Sequence, residues 1–430
     1  MMAMQLPRGT QDILPEDILV WKQIEKVSME TCEAYNFKEI RTPIFEHTEV
    51  FARGVGDTTD IVQKEMYTFK DRGDRSLTLR PEGTASVVRA FVEHKLYGSP
   101  AQPTKLFYTG PMFRYERPQA GRMRQFVQFG VEALGSASPQ LDAEVMALLM
   151  DICRRLGLTH LKLVINSLGD TESRVAHREA LMKHFEPELH TLCGDCQQRF
   201  EKNPLRILDC KKDHAHPLMA TAPSVLDHLN EESSQYFAEL KQTLDLLEIP
   251  YEVDANLVRG LDYYNHTAFE LMSTAPGFGA ITTLCGGGRY NGLVEQFGGP
   301  ETPGIGFAFS IERLILALKT EGVALPTAQG LDAYVIALGK DAHMQAMKLL
   351  YDLRQAGVHA DKDYLDKKMK AQFKAADRYH AKYAVILGED ELARSCAVVK
   401  HMQRGTQQEV ALSELVPWLR QELEGEEHHE

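Results

Sequence analysis

The chain has 430 residues, 43% of them hydrophobic and 25% charged; at roughly 150 residues per domain this suggests about three domains, and the composition excludes a fibrous, low-complexity or disordered protein. Lysine and arginine number 48 against 61 acidic residues, a net charge of −13, which excludes a chain that grips nucleic acid through its overall charge; any polyanion must meet local basic patches. The seven cysteines, from Cys32 to Cys396, are too few for a disulfide framework, and the opening residues lack a basic stretch followed by an apolar run, so the expectation is a soluble cytoplasmic protein.

Apolar positions Ile18, Trp21, Ile24, Val27 and Cys32 predict a helix over residues 16–35. Residues 37–46, FKEIRTPIFE, favour a strand that Pro43 demotes to an edge or an interrupted strand, the kind of edge that meets a partner. Short strands are predicted at 66–69 and 77–79 and a helix over 84–96. The clearest β pair is 105–116 with 124–134, joined by RPQAGRM. Alternation places Arg114 and Glu116 on one face, and Gln128, Gly130 and Glu132 on one face of the partner strand. Phe113, Tyr115, Val127, Phe129 and Val131 then point the other way. Periodicity alone leaves the polar face open between a ligand floor and a solvated surface.

Residues 170–229 turn polar and helix-favouring, which reads as an inserted helical module. Strands are predicted at 251–273, at 280–285 before Gly286, Gly287 and Gly288, and at 305–309, leading into a helix from Ile311. The stretch 322–330, GVALPTAQG, is a linker. Beyond it, residues 331–430 alternate strand and helix as a separate α/β domain, and a tail with five glutamates in its last ten residues is expected to be solvated and frayed.

No P-loop is present, and the glycines after Cys285 lack the strand–turn–helix setting of a dinucleotide site. Arg259, Arg289 and Arg313 stand beside glycines, and arginine's planar fork suits phosphate and carboxylate. Cys193, Cys196 and Cys210 with His214 and His216 could close a tetrahedral structural zinc site, or Cys210 could simply pack as a small hydrophobe.

Several motifs together resemble those of the histidyl-tRNA synthetases, a class II aminoacyl-tRNA synthetase family, along essentially the whole chain. FKEIRTPIFE resembles motif 1, TGPMFRYERPQAGRMRQFVQFGVEALG motif 2 and PGIGFAFSIERLI motif 3. The histidine-specific signatures are LVRGLDYY at 257–264 and CGGGRYNGL at 285–293, with LTLRPEGTA at 77–85 and PRGTQDILP near the start. Asn291 departs from the aspartate more usual there.

The resemblance implies an α+β fold: a catalytic domain over 1–325 with a six-stranded antiparallel sheet and flanking helices, the helical insertion at 170–229, and an α/β anticodon-binding domain at 331–430. It implies ATP-dependent ligation of L-histidine to histidine tRNA through histidyl-adenylate, with Mg2+ accompanying ATP and a homodimer formed through motif 1. Arg114 is implied to hold the α-phosphate and Arg313 the γ-phosphate, with Glu116, Arg122 and Phe126 completing the ATP site. Arg259 is implied to meet the α-phosphate and the histidine carboxylate, where many class II relatives use a metal ion, so no metal ligand is assigned to the active site. Glu82, Thr84 and Gln128 are implied to take the α-amino group, and Glu132 and Tyr264 the imidazole, with Tyr263 and Tyr290 in the same pocket; Tyr263 could equally well only pack. Arg117 and Gln119 are implied contacts to the tRNA acceptor end. Residues 361–382, with seven basic residues against four aspartates, offer a second basic patch on which Lys367, Lys368, Lys370 and Lys374 crowd onto one helix. The alternative is a synthetase-like regulatory subunit of histidine biosynthesis, whose members lack the last domain and lose key residues.

Overall fold

Residues 4–427 are described by the computed structural model, apart from 57–58, 120, 209, 211, 258–260, 262 and 280–281, and the chain divides into units 1–326 and 327–430. The first unit opens with α1 (Ile18–Ala34), which buries Val20, Trp21, Ile24, Val27 and Cys32 in the main core. Residues 37–46 are not one strand. β1 (Lys38–Glu39) pairs in parallel with the strand at 104–113, whereas β2 (Phe45–His47), followed by α2 (Thr48–Val55), joins a different sheet with β3 (Tyr67–Lys70) and β4 (Ser76–Leu79). Pro43 lies between the two pieces and has no N–H to give a ladder. Helix α3 (Thr84–Glu93) follows.

The hairpin β5 (Thr104–Phe113) and β6 (Gln125–Leu134) pairs without a break from Thr104↔Leu134 to Phe113↔Gln125. The predicted first strand ran on to Glu116, but beyond Arg114, whose N–H still donates to Arg124 O at 2.9 Å, the chain leaves the hairpin: Tyr115 N donates to Glu65 O at 2.7 Å. Tyr115 therefore does not share the buried face. The residue is 54% exposed, with the Arg124 guanidinium 3.8 Å from its ring centroid.

Next come α4 (Pro139–Arg155) and β7 (Leu161–Ser167). The polar module forms α5 (Thr171–Phe185), α6 (Gly194–Lys202) and α7 (Pro217–Ala220) with intervening 3-10 turns. The unit ends with α8 (Glu231–Leu246), β8 (Tyr251–Val253), β9 (Asn265–Ser273), β10 (Thr283–Arg289), α9 (Leu293–Gln296), β11 (Gly304–Ser310) and α10 (Ile311–Glu321). Gly286, Gly287 and Gly288 lie inside β10, not after it.

The main sheet has the order β1-β5-β6-β11-β10-β9-β7-β8. Its six central strands are antiparallel, as the motif resemblance implies, and a short parallel strand is added at each edge. One face carries Phe107, Phe129 and Phe309, stacked at 5.7 and 5.3 Å, into a core shared with α1, α4 and α10. The opposite face packs Leu106, Tyr108 and Met112 against Val87 of α3.

Arg289, read from sequence as a possible ligand arginine, is instead part of the frame. It and Asp142 of α4 are both 0% exposed. Arg289 Nε donates to Asp142 Oδ1 at 3.1 Å and Nη1 to Ser136 O at 2.8 Å. Asp142 Oδ2 also accepts from Thr267 Oγ1 at 2.5 Å and Tyr236 O–H at 2.8 Å. Removing one partner strands the other charge in the core, so Arg289→Met is expected to destabilise the first unit by about 3–5 kcal/mol. Urea unfolding checks this, and a loss below about 1 kcal/mol would contradict it.

The second unit consists of β12 (Ala333–Ala337), α11 (Lys340–Gln355), β13 (Ala360–Lys362), α12 (Met369–Arg378), β14 (Tyr383–Leu387), α13 (Glu389–Ala393), β15 (Cys396–His401), β16 (Gln407–Ala411) and α14 (Leu415–Glu427). Its sheet runs β13-β12-β14-β15-β16, with β13, β12 and β14 parallel and the last two strands antiparallel. Of the four lysines expected on one helix, only Lys370 and Lys374 lie within α12; Lys367 and Lys368 precede it. The acidic tail is anchored at least as far as Glu426. Leu415, Leu419 and Leu423 enter the core, and Glu426 accepts from His401 Nε2 at 2.8 Å.

Candidate active site

The face of the sheet turned away from the phenylalanine core holds a polar pocket built around Glu132. β6 sets this residue opposite Leu106 of β5 and Gly306 of β11. Gly306 is required there, because a Cβ at that position would come within 2.1 Å of Glu132 Oε2. Three hydroxyls, from α3, β5 and the turn after β10, meet the carboxyl. Thr84 Oγ1 donates to Oε1 at 2.7 Å, Tyr108 O–H approaches the same oxygen at 3.4 Å, and Tyr290 O–H donates to Oε2 at 2.5 Å. The residue is 1% exposed, and burial pushes its pKa up to about 8 against the opposing pull of those hydroxyls.

Glu82 lies beside it at the start of α3 and accepts from the backbone N–H of Thr84 at 2.7 Å and of Ala85 at 2.8 Å. A carboxylate suits a helix N-terminus, although burial raises its pKa overall. Tyr263 and Tyr264 are buried in the same aromatic wall, with ring centroids 4.6 Å apart, and Tyr263 meets Tyr290 edge-on at 5.7 Å. The fold thus gathers Glu82, Thr84, Glu132, Tyr263, Tyr264 and Tyr290 from segments scattered over 200 residues of sequence.

An adjoining cleft is lined by Arg114, Glu116, Arg122, Phe126, Gln128 and Arg313, with Thr283 and Gly286 of β10 across from them. Arg114 Nε donates to Pro81 O at 2.8 Å, and its guanidinium lies 5.4 Å from the Phe126 centroid. Glu116 pairs with both Arg114, at 3.8 Å, and Arg122, at 3.4 Å. Arg313 starts α10, donates from Nε to Thr283 O at 2.6 Å and lies 5.5 Å from the Phe278 ring. Burial first, and then the positive charge of Arg122, press the Arg313 pKa down. The amide oxygen of Gln128 is buried and has no hydrogen-bond partner among the described residues. A buried orphan acceptor of this kind costs about 1–3 kcal/mol, so the site is arranged to receive a donor.

Arg259 lies outside the described residues. Arg117 and Gln119 are exposed in the hairpin loop, where backbone bonds pair Gln119 with Arg122. Asn291 has a bracing role: its N–H donates to Asn265 Oδ1 at 3.1 Å and its Oδ1 accepts from Gly304 N at 3.3 Å. Sequence reasoning missed Tyr108. The signal was available, because it pairs with Gly130 across the hairpin and shares the face of Gln128 and Glu132. It also missed Thr283 and Phe278, which hold Arg313; nothing in their local pattern marks them.

Residues 9–314 match the family description "Histidyl-tRNA synthetase". The chain belongs to the histidyl-tRNA synthetase family. Residues 332–422 match "Anticodon binding domain". Among curated relatives, histidine–tRNA ligase 1 of Shouchella clausii is 73% identical over 424 residues, covering 99% of this chain and 100% of that protein. The histidine–tRNA ligase of Anoxybacillus flavithermus is 66% identical, covering 98% and 100%. Among solved structures, apo histidyl-tRNA synthetase of S. aureus superposes with a TM-score of 0.83 at 53% identity, covering 97% of this chain and all of that one. The family's six-stranded antiparallel sheet is therefore the centre of the sheet described above.

Proposed function

We propose that the chain ligates L-histidine to histidine tRNA in two steps, forming histidyl-adenylate from histidine and ATP and then passing the histidyl group to the terminal adenosine of the tRNA. The observation that carries this reading is Glu132, a fully buried carboxyl held by Thr84 and Tyr290 beside an arginine-lined cleft. A pocket of buried acceptors and hydroxyls suits imidazole, whose two nitrogens need partners, and rejects apolar isosteres that would leave those groups unpaired. Gln128, with its orphan oxygen, and Glu82 and Thr84 take the α-amino group; Glu132 and Tyr264 take the ring.

In the cleft, Arg114 binds the α-phosphate and Arg313 the γ-phosphate, while Glu116, Arg122 and Phe126 shape the remaining ATP surface. The histidine carboxylate then attacks the α-phosphorus in line and pyrophosphate leaves. Arg114, a fixed cation, and Arg259 offset the charge gathering on the phosphoryl oxygens. Glu116, the carboxylate that lines this cleft, would meet the Mg2+ that accompanies ATP, and that ion would supply neutralisation of phosphate charge.

The tRNA acceptor end meets Arg117 and Gln119. The second unit, with Lys370 and Lys374 on α12, reads the anticodon end. A second copy of the chain is the expected partner at motif 1, supported by the exposed apolar side chains of Ile44, Phe45 and Phe69. No helix among the described residues is long and apolar enough to cross a membrane, in keeping with a cytoplasmic enzyme. A regulatory subunit is disfavoured by the anticodon-binding unit and by the arginines that line the cleft.

Pyrophosphate exchange into ATP, run across the amino acids, tests the reading. Exchange should require histidine; its absence with histidine, or faster exchange with another amino acid, would overturn the proposal.

A further inference from the structure

The helical module between β7 and α8 holds a side-chain cluster that ligation does not use. Cys193 immediately precedes α6 and Cys196 lies in its first turn. The chain then returns past Ile207 to bring Cys210 and Asp213 against them. Cys193 Sγ and Cys210 Sγ are 3.7 Å apart, Cys210 Sγ and Asp213 Oδ2 3.6 Å. One ligand atom from each of Cys193, Cys196, Cys210 and Asp213 lies within 4.8 Å of every other.

These separations have a simple meaning. A tetrahedral zinc ion, bonded to sulfur at about 2.3 Å and to carboxylate oxygen at about 2.0–2.2 Å, sets neighbouring ligand atoms roughly 3.6–3.8 Å apart. A disulfide would need sulfurs about 2.05 Å apart, and all the cysteines are free thiols. The quartet is not the one that spacing suggested: Asp213 takes the place given to His214. Its Oδ2 accepts from Cys193 N at 3.0 Å, which aims the carboxylate at the sulfurs.

The module also needs a staple. Its cluster of buried side chains is small: Leu181, Phe185, Leu192, Phe200 and Ile207, together with Cys196 and Cys210 themselves. Cores of this size are commonly completed by a metal or a disulfide. We propose that Cys193, Cys196, Cys210 and Asp213 bind one structural zinc ion, which fastens the start of α6 to the loop after Ile207. Thiolate donors select zinc over magnesium or calcium, and four protein ligands leave no open position for catalysis. The three thiols bind as thiolates and release their protons to solvent as the ion enters. Lys212, bonded to Asp195 at 2.8 Å, places a cation near this anionic ligand set. The proposal does not depend on the ligase reading.

The full-length protein, purified without chelator or added metal, should carry about one zinc per chain by elemental mass spectrometry. Exchange with Co2+ should give the thiolate charge-transfer and d–d bands of tetrahedral cobalt. Cys210→Ala should lower zinc content about tenfold or more, and Asp213→Ala should weaken zinc binding about tenfold or more, whereas His214→Ala should leave it unchanged. Because Cys210→Ala could unfold the module, a second measurement uses the unaltered protein: chelation should release zinc in step with new thiol reactivity at Cys193, Cys196 and Cys210. Four results would overturn the proposal: no zinc together with no cobalt spectrum after reconstitution, a Cys193–Cys210 disulfide in alkylated protein, undiminished zinc in Cys210→Ala, or iron in place of zinc.

Discussion

Arg114→Ala is expected to lower the rate of histidine-dependent pyrophosphate exchange by about a hundred- to a thousandfold, the usual cost of removing one preorganised donor from a developing charge. The geometry explains why one side chain should matter so much. Arg114 is fixed at Nε by Pro81 O and lies over Phe126, so its guanidinium is held in place before ATP arrives. Arg114→Lys keeps the charge but loses the planar fork, and should recover only part of the rate. Arg114 is only partly buried, so the thermal midpoint should change little in either variant. A loss below about tenfold in Arg114→Ala would place the α-phosphate elsewhere.

Glu132→Gln should cost kcat/KM for histidine about a hundredfold or more, because an amide cannot ionise to accept from the imidazole and puts an NH2 donor where one carboxyl oxygen accepts from Thr84 or Tyr290. KM for ATP should stay within about threefold, because Arg114 and Arg313 are untouched. The same variant tests the protonation state. The Glu132 pKa is raised from an ordinary 4.5 to about 8 in the folded chain, so the folded state binds more protons than the unfolded state between those values. Its contribution to stability is fully present below about 4.5 and is lost as pH rises through 8, with a slope of up to roughly 1.4 kcal/mol per pH unit. Glutamine is isosteric with the neutral acid and does not titrate. Chemical denaturation of the histidine-free protein at pH 5 and pH 8 should therefore show a weaker fall in stability for Glu132→Gln than for the unaltered chain. Parallel falls would show that Glu132 ionises at its ordinary pH.

Strand periodicity was enough to place Gln128 and Glu132 on one face, because a ten-residue hairpin with unbroken register turns alternation directly into geometry. It failed where tertiary bonds took over. Tyr115 left the predicted strand because its N–H bonds to Glu65, fifty residues earlier in the chain. Residues 37–46 have one local preference but serve two sheets. Arg289 resembled a ligand arginine because its partner Asp142 is 147 residues away, and no local pattern discloses such a pairing. The residues that grip Glu132 follow the same logic: Thr84 and Tyr290 reach it from 48 and 158 residues away, so the family signatures, not the physics of any single segment, linked them beforehand.

The edges of the main sheet have a consequence for how the chain survives its own folding. The six inner strands run 7 to 10 residues each and expose long ladders while they assemble. Each flank is finished by a strand of two or three residues, β1 on one side and β8 on the other. Such short caps offer a passing chain too few free N–H and C=O groups to begin cross-β growth. The two least conspicuous strands thus protect a glycine-rich, ligand-binding sheet from becoming a template for aggregation.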